Sequence, residues 1–524
     1  MAVIGRQVFA TCLLLCATAQ AQVSVSGQKI GLVYVLRESL KQNSNILLQQ
    51  QQVVASDGAK LQAQGQFDPV FSAEVSSQKE IRPLRQDEVK GLRATGDLDV
   101  NSQTSDNTTW RAGVEKTLPN GMVLGSNLTV TTTDDSFSRS ALIPEQTAGR
   151  LNFTLRVPLL RNAGREVVGA AQFAAEAEYV AAQRELVQAN AQAVLNSTLA
   201  YWNYLASHRR LAIAQASEQR AGVFVNETEK LIKADQVPRA EVELLLASQA
   251  EKTINRLQAE QTWIEARRTL ARSIGLPAEQ SLSLAEPADD FPIYSGQALD
   301  ASLLPSSLGE QALRQRADLE ALRQRELAAQ HRVTAASNSL KPQTDVSFSL
   351  GYRSLSEGHG PYDLGGLGML GRSGPVAGVT LNVQLPYGNS SARGGLLAQS
   401  AAFDASTLRT RELEASIANN VAVQAEALRR AATQLASGAL AVKRYNITLL
   451  NEQTKRRLGL STLIDLLNLQ DRLDNAQSQQ VQLQNAYASA IAQLRFELGA
   501  LVRQQGDAFD VRAEDLTSPD FGSR

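Results

Sequence analysis

The sequence predicts an internally duplicated α+β membrane protein, in which amphipathic strands cross the bilayer and very long α-helices close into a helical barrel. Three observations carry this. Arg150 to Glu166, RLNFTLRVPLLRNAGRE, has a near-copy at Gly378 to Gly394, GVTLNVQLPYGNSSARG, and each copy ends a strand and opens a helix. Long stretches after each copy lack proline and are rich in Ala, Gln and Glu, which are good helix formers. An export signal precedes a chain with no apolar run of about 18 residues, so any membrane crossing must use strands.

The signal has Arg6 in its positive region, an apolar core from Val8 to Ala17 and a small-x-small site at Ala19 to Ala21. It starts the mature chain at Gln22 and assigns residues 1–21 to the leader. Both cysteines, Cys12 and Cys16, fall inside it, so the mature chain has no thiol chemistry and no disulfide. Cys16 follows Leu15, where a lipid-acceptor cysteine wants a small residue. Charged residues are 20 % of the chain with a formal net charge of −1, which gives no global attraction to nucleic acid or anionic lipid. Aromatics are only 5 %, which favours close-packed helices over a bulky core.

A first repeat spans 22–277. Apolar residues at three- and four-residue steps predict a helix from Ile30 to Gln66, stopped at Asp68-Pro69. A strand follows at Phe71, Ala73 and Val75, then an exposed polar loop from Gln78 to Thr108. A hairpin at 109–133 turns at Pro119-Asn120-Gly121, since Asn-Gly between alternating runs favours a tight turn. After a second polar loop, Asp134 to Thr147, comes the strand with Leu151, Phe153, Leu155 and Val157 on its apolar face. Pro158 ends its ladder, and a helical hairpin fills 165–275, whose outgoing arm of some 60 residues would span roughly 90 Å.

An irregular connector, 278–307, leads into a second repeat at 308–501. Its elements are a helix to Lys341-Pro342, a strand through Val346, Phe348, Leu350 and Tyr352, a Gly-rich loop, a strand with Val379, Leu381, Val383 and Leu385 on one face, and a helical hairpin at 395–499. The return helices match position by position, Trp263 with Tyr487 and Glu241 with Asp465. Copy one is longer by 45 residues between its prolines, 69 to 158 against 342 to 386, and the excess holds the additional hairpin. The tail, 502–524, is polar and is expected to be loosely ordered.

Strands of about nine or ten residues with one apolar face suit a tilted bilayer crossing. A soluble sheet with one face on a core has the same pattern, and a coiled-coil rod the same helical periodicity. Four such strands per chain cannot close a barrel, and open edges are not tolerated in hydrocarbon, so the membrane reading requires an oligomer. The additional hairpin either extends the barrel or caps it from outside.

The duplicated architecture, VPLLRNAGRE at Val157 to Glu166 and RLGLSTLIDLLNLQDRL at Arg457 to Leu473 resemble the TolC family of outer-membrane efflux channels. The resemblance covers Ile30 to Leu501. It implies a homotrimer in the cell outer membrane with a large periplasmic portion, whose 12-stranded β-barrel sits in outer-membrane lipid and continues into a 12-helix tunnel. It also implies partners: a periplasmic membrane-fusion adaptor and, through it, an inner-membrane transporter of the RND or ABC type. Gly459, Leu460 and Ser461 fall on the family's adaptor-docking tip, whereas Ala234, Asp235 and Gln236 depart from it in the first copy. Asp465 falls on the first aspartate of the ring at the narrow end, and Asn468 on the second. Glu241 falls on an acidic member of the tip-closing network, but the network's tyrosine and arginine positions are held here by Arg456 and Ser461, so the family's closing bonds are not reproduced. Asp465 and Glu241 read equally well as solvated helix-face carboxylates.

Nothing in the sequence supports catalysis, a metal or a cofactor. His208, His331 and His359 are widely separated, and Gly365-Gly366-Leu367-Gly368 has no helix start to supply phosphate-binding amides. The expected function is therefore a passive exit duct of a tripartite efflux pump or type I secretion system. The competing expectation is a periplasmic coiled-coil structural or adhesin-like protein.

Overall fold

Period-two alternation builds one large antiparallel sheet. The structure, a computed structural model, describes residues 29–94, 101–140, 143–234, 240–294, 305–358, 372–505, 508–519 and 521. Six strands, β1 (Val70–Pro83), β2 (Ser102–Thr117), β3 (Val123–Asp135), β4 (Gln146–Pro158), β5 (Gln343–Glu357) and β6 (Arg372–Gln384), pair in the order β1-β2-β3-β4-β5-β6. The helices are α1 (Leu32–Gln42), α2 (Ser44–Gln64), α3 (Gln86–Ala94), α4 (Ser136–Ser140), α5 (Arg165–Val168), α6 (Ala170–Lys233), α7 (Ala240–Ser273), α8 (Pro305–Gln315), α9 (Ala317–Asn338), α10 (Ser390–Arg457), α11 (Leu463–Glu497) and α12 (Ala513–Thr517). A small ribbon joins β7 (Arg503–Gln505) to β8 (Ala508–Asp510).

The additional hairpin joins the sheet. Four strands and a hairpin of open placement were expected, and the hairpin, β2 and β3, is paired with β1 on one side and β4 on the other, so the sheet has six strands. The loops expected at 78–108 and 134–147 are also shorter, since β1 runs on to Pro83, β2 starts at Ser102 and β3 continues to Asp135. These extensions carry polar side chains on both faces, so no apolar period marks them. The ladder forms all the same, with cross-strand pairs such as Thr109 with Thr131 and Thr133 with Asn107.

Three expected helices are each broken once, the outgoing arm of the first hairpin at Gly169, between α5 and α6. Asn43 separates α1 from α2: its side-chain oxygen accepts from the Asn45 amide while its own amide group donates to the Ser273 carbonyl, which competes with helix continuation. Arg316 separates α8 from α9 and pairs with Glu497. The tail, expected to be loose, is anchored where it is described. Leu516 is fully buried, and the Arg495 guanidinium donates to the Ser518 carbonyl and lies over the Phe521 ring. The leader and the Gly-rich stretch 359–371, with His359 and the run from Gly365 to Gly368, lie outside the described residues.

The chain divides into two units. One comprises Met1–Leu48, Val187–Arg316 and Ser416–Arg524. Its core gathers Tyr201, Trp202 and Tyr204 of α6 with Val35 and Leu36 of α1, Leu270 of α7 with Ile274 just past its end, and Ala488 and Ala492 of α11. Burial is the first cause that raises the Tyr201 hydroxyl pKa, and the Asp289 carboxylate that accepts its proton at 2.7 Å adds to it. Asp289 also accepts from the Leu32 amide and so satisfies an orphan donor at the start of α1. Helices α7, α10 and α11 are each closed by a left-handed glycine, Gly275, Gly459 and Gly499, with the paired backbone bonds of a Schellman motif.

The other unit, Gln49–Leu186 and Ala317–Ala415, holds the sheet and the helices that feed it. Each strand-to-helix junction takes a left-handed asparagine, Asn162 after β4 and Asn389 after β6. The Asn162 amide donates to the Asn338 side chain at 2.8 Å, and the Asn389 side chain donates to the Leu340 carbonyl. The β2–β3 turn docks on the first junction: the Asn120 carbonyl accepts from the Gly164 amide, and a Cβ on Gly121 would stand 2.1 Å from the Asn162 carbonyl oxygen. Gly121 has φ +92°, whereas Gly164 has φ +101° but open space around it. Gly121→Ala should therefore lose more than about 2 kcal/mol, from strain plus clash, and Gly164→Ala only about 1 kcal/mol. Thermal or denaturant unfolding of the two variants checks this; equal losses would mean that the docked turn is not tightly held.

Candidate functional site

The two faces of the sheet differ over the part next to the helices, where one is apolar and the other polar. Directly paired residues share a face, so the register sorts them into rows. One row runs Phe71, Val114, Ser126, Phe153, Leu350, Ala377; the next runs Ala73, Ala112, Leu128, Leu151, Tyr352, Pro375. Towards the helices the same face continues through Leu124, Leu155, Phe348 and Val379, then Val157, Val346 and Leu381, then Val383. Seven of the eight residues assigned from sequence to the apolar face thus lie together on it. Leu385 lies just beyond β6, which stops at Gln384, and is exposed. From Val383 to the row of Val75 and Trp110 the band covers about eleven residues along a strand, or roughly 25 Å in height at a tilt near 40°. Phe71, Leu350, Val379 and Leu381 are each more than 60 % exposed, so this is a large uncovered apolar surface. At its far end Val130, Thr147 and Ser354 are buried.

The opposite face is polar. One row carries Glu74, Arg111, Thr129, Arg150 and Arg353, where Arg111 pairs with Glu74 at 3.0 Å and Arg150 stands directly opposite Arg353. The next row carries Ser72, Gly113, Asn127, Asn152 and Gly351. Among the described residues no helix is long and apolar enough to cross a membrane.

The second site is the turn between α10 and α11. The Gly459 amide donates to the Arg456 carbonyl and the Leu460 amide to the Lys455 carbonyl, so the turn is fixed by its own backbone. Leu458 and Leu460 stand 69 % and 74 % exposed at the apex. Thr462 caps α11 in a capping box: its hydroxyl accepts from the Asp465 amide, and the Asp465 carboxylate accepts from the Thr462 amide and hydroxyl. These donors hold the Asp465 carboxyl below its ordinary value, the Thr462 hydroxyl first and the Thr462 amide second. Ser461 bonds to Glu452, which together with Lys455 lowers that carboxyl too. Asn468 lies one turn further along α11. The side chain of Glu241, and residues Asp235 and Gln236, lie outside the described residues, so no partner is assigned to them.

A tie further along these helices leaves no mark in the sequence. Asp474 of α11 accepts from the Ser217 hydroxyl at 2.7 Å and from Arg220 of α6 at 2.6 Å, while Lys252 of α7 pairs with Asp471. Partners more than 250 residues apart give no spacing signal. The cap at Thr462-Leu463-Ile464-Asp465 was also missed, although its Thr-x-x-Asp spacing before an apolar run is a pattern that could have found it. His208 lies beside Trp263, and His331 beside Phe173. Among the described residues no group of His, Cys, Asp and Glu could hold a metal ion.

The outer membrane efflux protein family matches this chain over residues 308–500. Among solved structures the chain is similar to the outer-membrane channel OprN, with 16 % identity, a TM-score of 0.63 and 90 % of each chain covered. It is likewise similar to VceC from Vibrio cholerae, with 17 % identity, a TM-score of 0.63, and 89 % of this chain and 96 % of that one covered. For CusC the identity is 14 %, the TM-score 0.63 and the coverage 89 % and 92 %. At these identities the likeness is one of fold. Nothing among curated proteins matches the chain.

The capping box gives a pH prediction. A folded-state pKa below the unfolded value contributes stability that is complete above the unfolded pKa and is lost as pH falls through the folded one. Amide exchange at the start of α11 should therefore quicken, beyond its intrinsic pH dependence, as pH drops below the ordinary aspartate value of 3.8. In Asp465→Asn that excess should vanish. Thr462→Ala should cost the cap about 1 kcal/mol, or roughly fivefold in local opening.

Proposed function

We infer that this chain, whose residues 308–500 belong to the outer membrane efflux protein family and whose fold is that of outer-membrane channels, is an exit channel of the outer membrane. The observation that carries the reading is the sheet: a tall exposed apolar band on one face, polar side chains on the other, and edges at β1 and β6. Such a sheet is stable in hydrocarbon only if its edges pair. Three copies joined edge to edge, β1 of one to β6 of the next, supply that closure, with the apolar rows against lipid and the Arg150 row facing a water-filled lumen. The chain is then two repeats, 22–277 and 308–501, with the connector 278–307 between them and the helical hairpins 165–275 and 395–499 forming a periplasmic tunnel.

The likeness to components of efflux systems supports a passive role in a tripartite pump or type I secretion system. Gly459, Leu460 and Ser461 form the tip that meets a periplasmic adaptor, which links the duct to an RND or ABC-type inner-membrane transporter. An exposed leucine on a backbone-locked turn is suited to insertion into an apolar notch. Asp465, with Asn468 a turn away, lines the narrow end, and Glu241 is assigned to the tip by the family resemblance alone. The capping box fixes where the Asp465 carboxylate stands.

A heat-modifiable trimer in outer-membrane fractions is the expected state; a soluble periplasmic monomer would sink the channel reading in favour of a coiled-coil structural protein. In planar bilayers Asp465→Ala should raise conductance or weaken block by multivalent cations, and no change in either would remove Asp465 from the pore. Leu460→Asp should lower adaptor co-purification about tenfold or more while single-channel conductance stays as in the wild type, since burying an unpaired charge costs more than about 1.4 kcal/mol.

A further inference from the structure

The β2–β3 hairpin stands out against the helices. In the sheet-bearing unit four helices lie side by side in the order α2, α6, α9, α10. Lys60 of α2 sits over the Tyr179 ring of α6. Ala174 and Ala177 of α6 pack on Ala328 of α9, reinforced by Arg332 with Glu178 and Arg325 with Glu185. Arg323 and Glu326 of α9 bond to Glu414 and Thr407 of α10. Each of these helices joins one strand: α2 leads into β1, β4 into α6 by way of α5, α9 into β5, and β6 into α10. These four helices therefore serve four strands, and β2 and β3 join none of them. They turn back at Leu118 to Met122, against the β4–α5 junction.

Two more strands widen the sheet. Strands about 4.8 Å apart and tilted near 40° each take up about 6.3 Å of perimeter, so four cover about 25 Å and six about 38 Å. Four helices packed about 8–10 Å apart cover about 32–40 Å. Measured at the helix axes, four strands span roughly two thirds of that perimeter and six span all of it.

We propose that β2 and β3 are staves of the pore wall that bring the membrane barrel to the perimeter of the helical ring, so that three copies make eighteen strands instead of twelve. The proposal rests on the channel reading above. The barrel is then about 36 Å across between facing backbones, against about 24 Å for twelve strands, in the size class that leaves an aqueous channel. The membrane stage imposes no constriction of its own, and bulky polar cargo that clears the helical ring also clears the barrel.

Paired cysteine labelling in the full-length, otherwise cysteine-free mature chain tests this. Asn127 and Leu128 of β3 stand directly opposite Asn152 and Leu151 of β4, so the second pair is an internal control. With a membrane-impermeant maleimide on the purified, reconstituted protein, Asn127→Cys should react about tenfold or more faster than Leu128→Cys, as Asn152→Cys should relative to Leu151→Cys, because one face is in lipid and the other in water. If the β4 pair keeps its contrast while the β3 pair loses it, the hairpin lies outside the membrane and the proposal fails. If the β4 pair loses its contrast, the channel reading itself fails. Electron cryomicroscopy of the trimer gives a second, independent readout: eighteen strands support the proposal and twelve overturn it. Deleting residues 101–145 should reduce the barrel to twelve strands and exclude neutral polymers that the parent passes; unchanged polymer passage by a folded deletion trimer would also overturn it.

Discussion

A sheet placed in hydrocarbon must leave no backbone donor or acceptor unpaired, and most of this architecture answers that demand. Each missing bond there costs several kcal/mol, more than any single side-chain contact in the protein returns. Strands are therefore long, antiparallel and joined in sequence order, and β1 and β6 are the edges that the proposed assembly would have to pair. Outside the apolar band the same backbone rule holds with water as an alternative, so β2 and β3 run on with Ser, Thr and Asp on both faces and β1 with Gln, Lys, Glu and Arg.

The helical part is ruled by termination. Glycine at Gly275 and Gly499 does more than end a helix, since a Cβ on either would meet the backbone at the end of the short helix packed against it, Gln42 for one and Gln315 for the other. Gly459 uses the same turn with open space around it. An identical local motif thus serves tight packing at two ends and an exposed apex at the third.

Much of this was legible in the sequence. Alternation through Leu151 to Val157 and Val379 to Val383 placed the right residues on the apolar face, and glycine and proline marked the ends of the long helices. Strand extensions such as Ser102 to Thr109 escaped because polar residues on both faces erase the period that betrays a strand. The break at Asn43 was hidden because its cause is a side-chain bond to Ser273, remote in sequence. For the same reason Asp474 with Arg220 and Ser217 was invisible, whereas the Thr462 to Asp465 cap, being local, was within reach of pattern alone.

The docked turn at Asn120 and Gly121 ties the hairpin to the start of the helices. β2 and β3 separate β1 from β4, and their turn closes against Asn162 and Gly164 at the β4–α5 junction. Close-packed contacts transmit strain, so a distortion at Gly121 is passed to the backbone that launches α5 and α6. A change made in a strand turn is thereby felt in the helical scaffold as well as in the sheet.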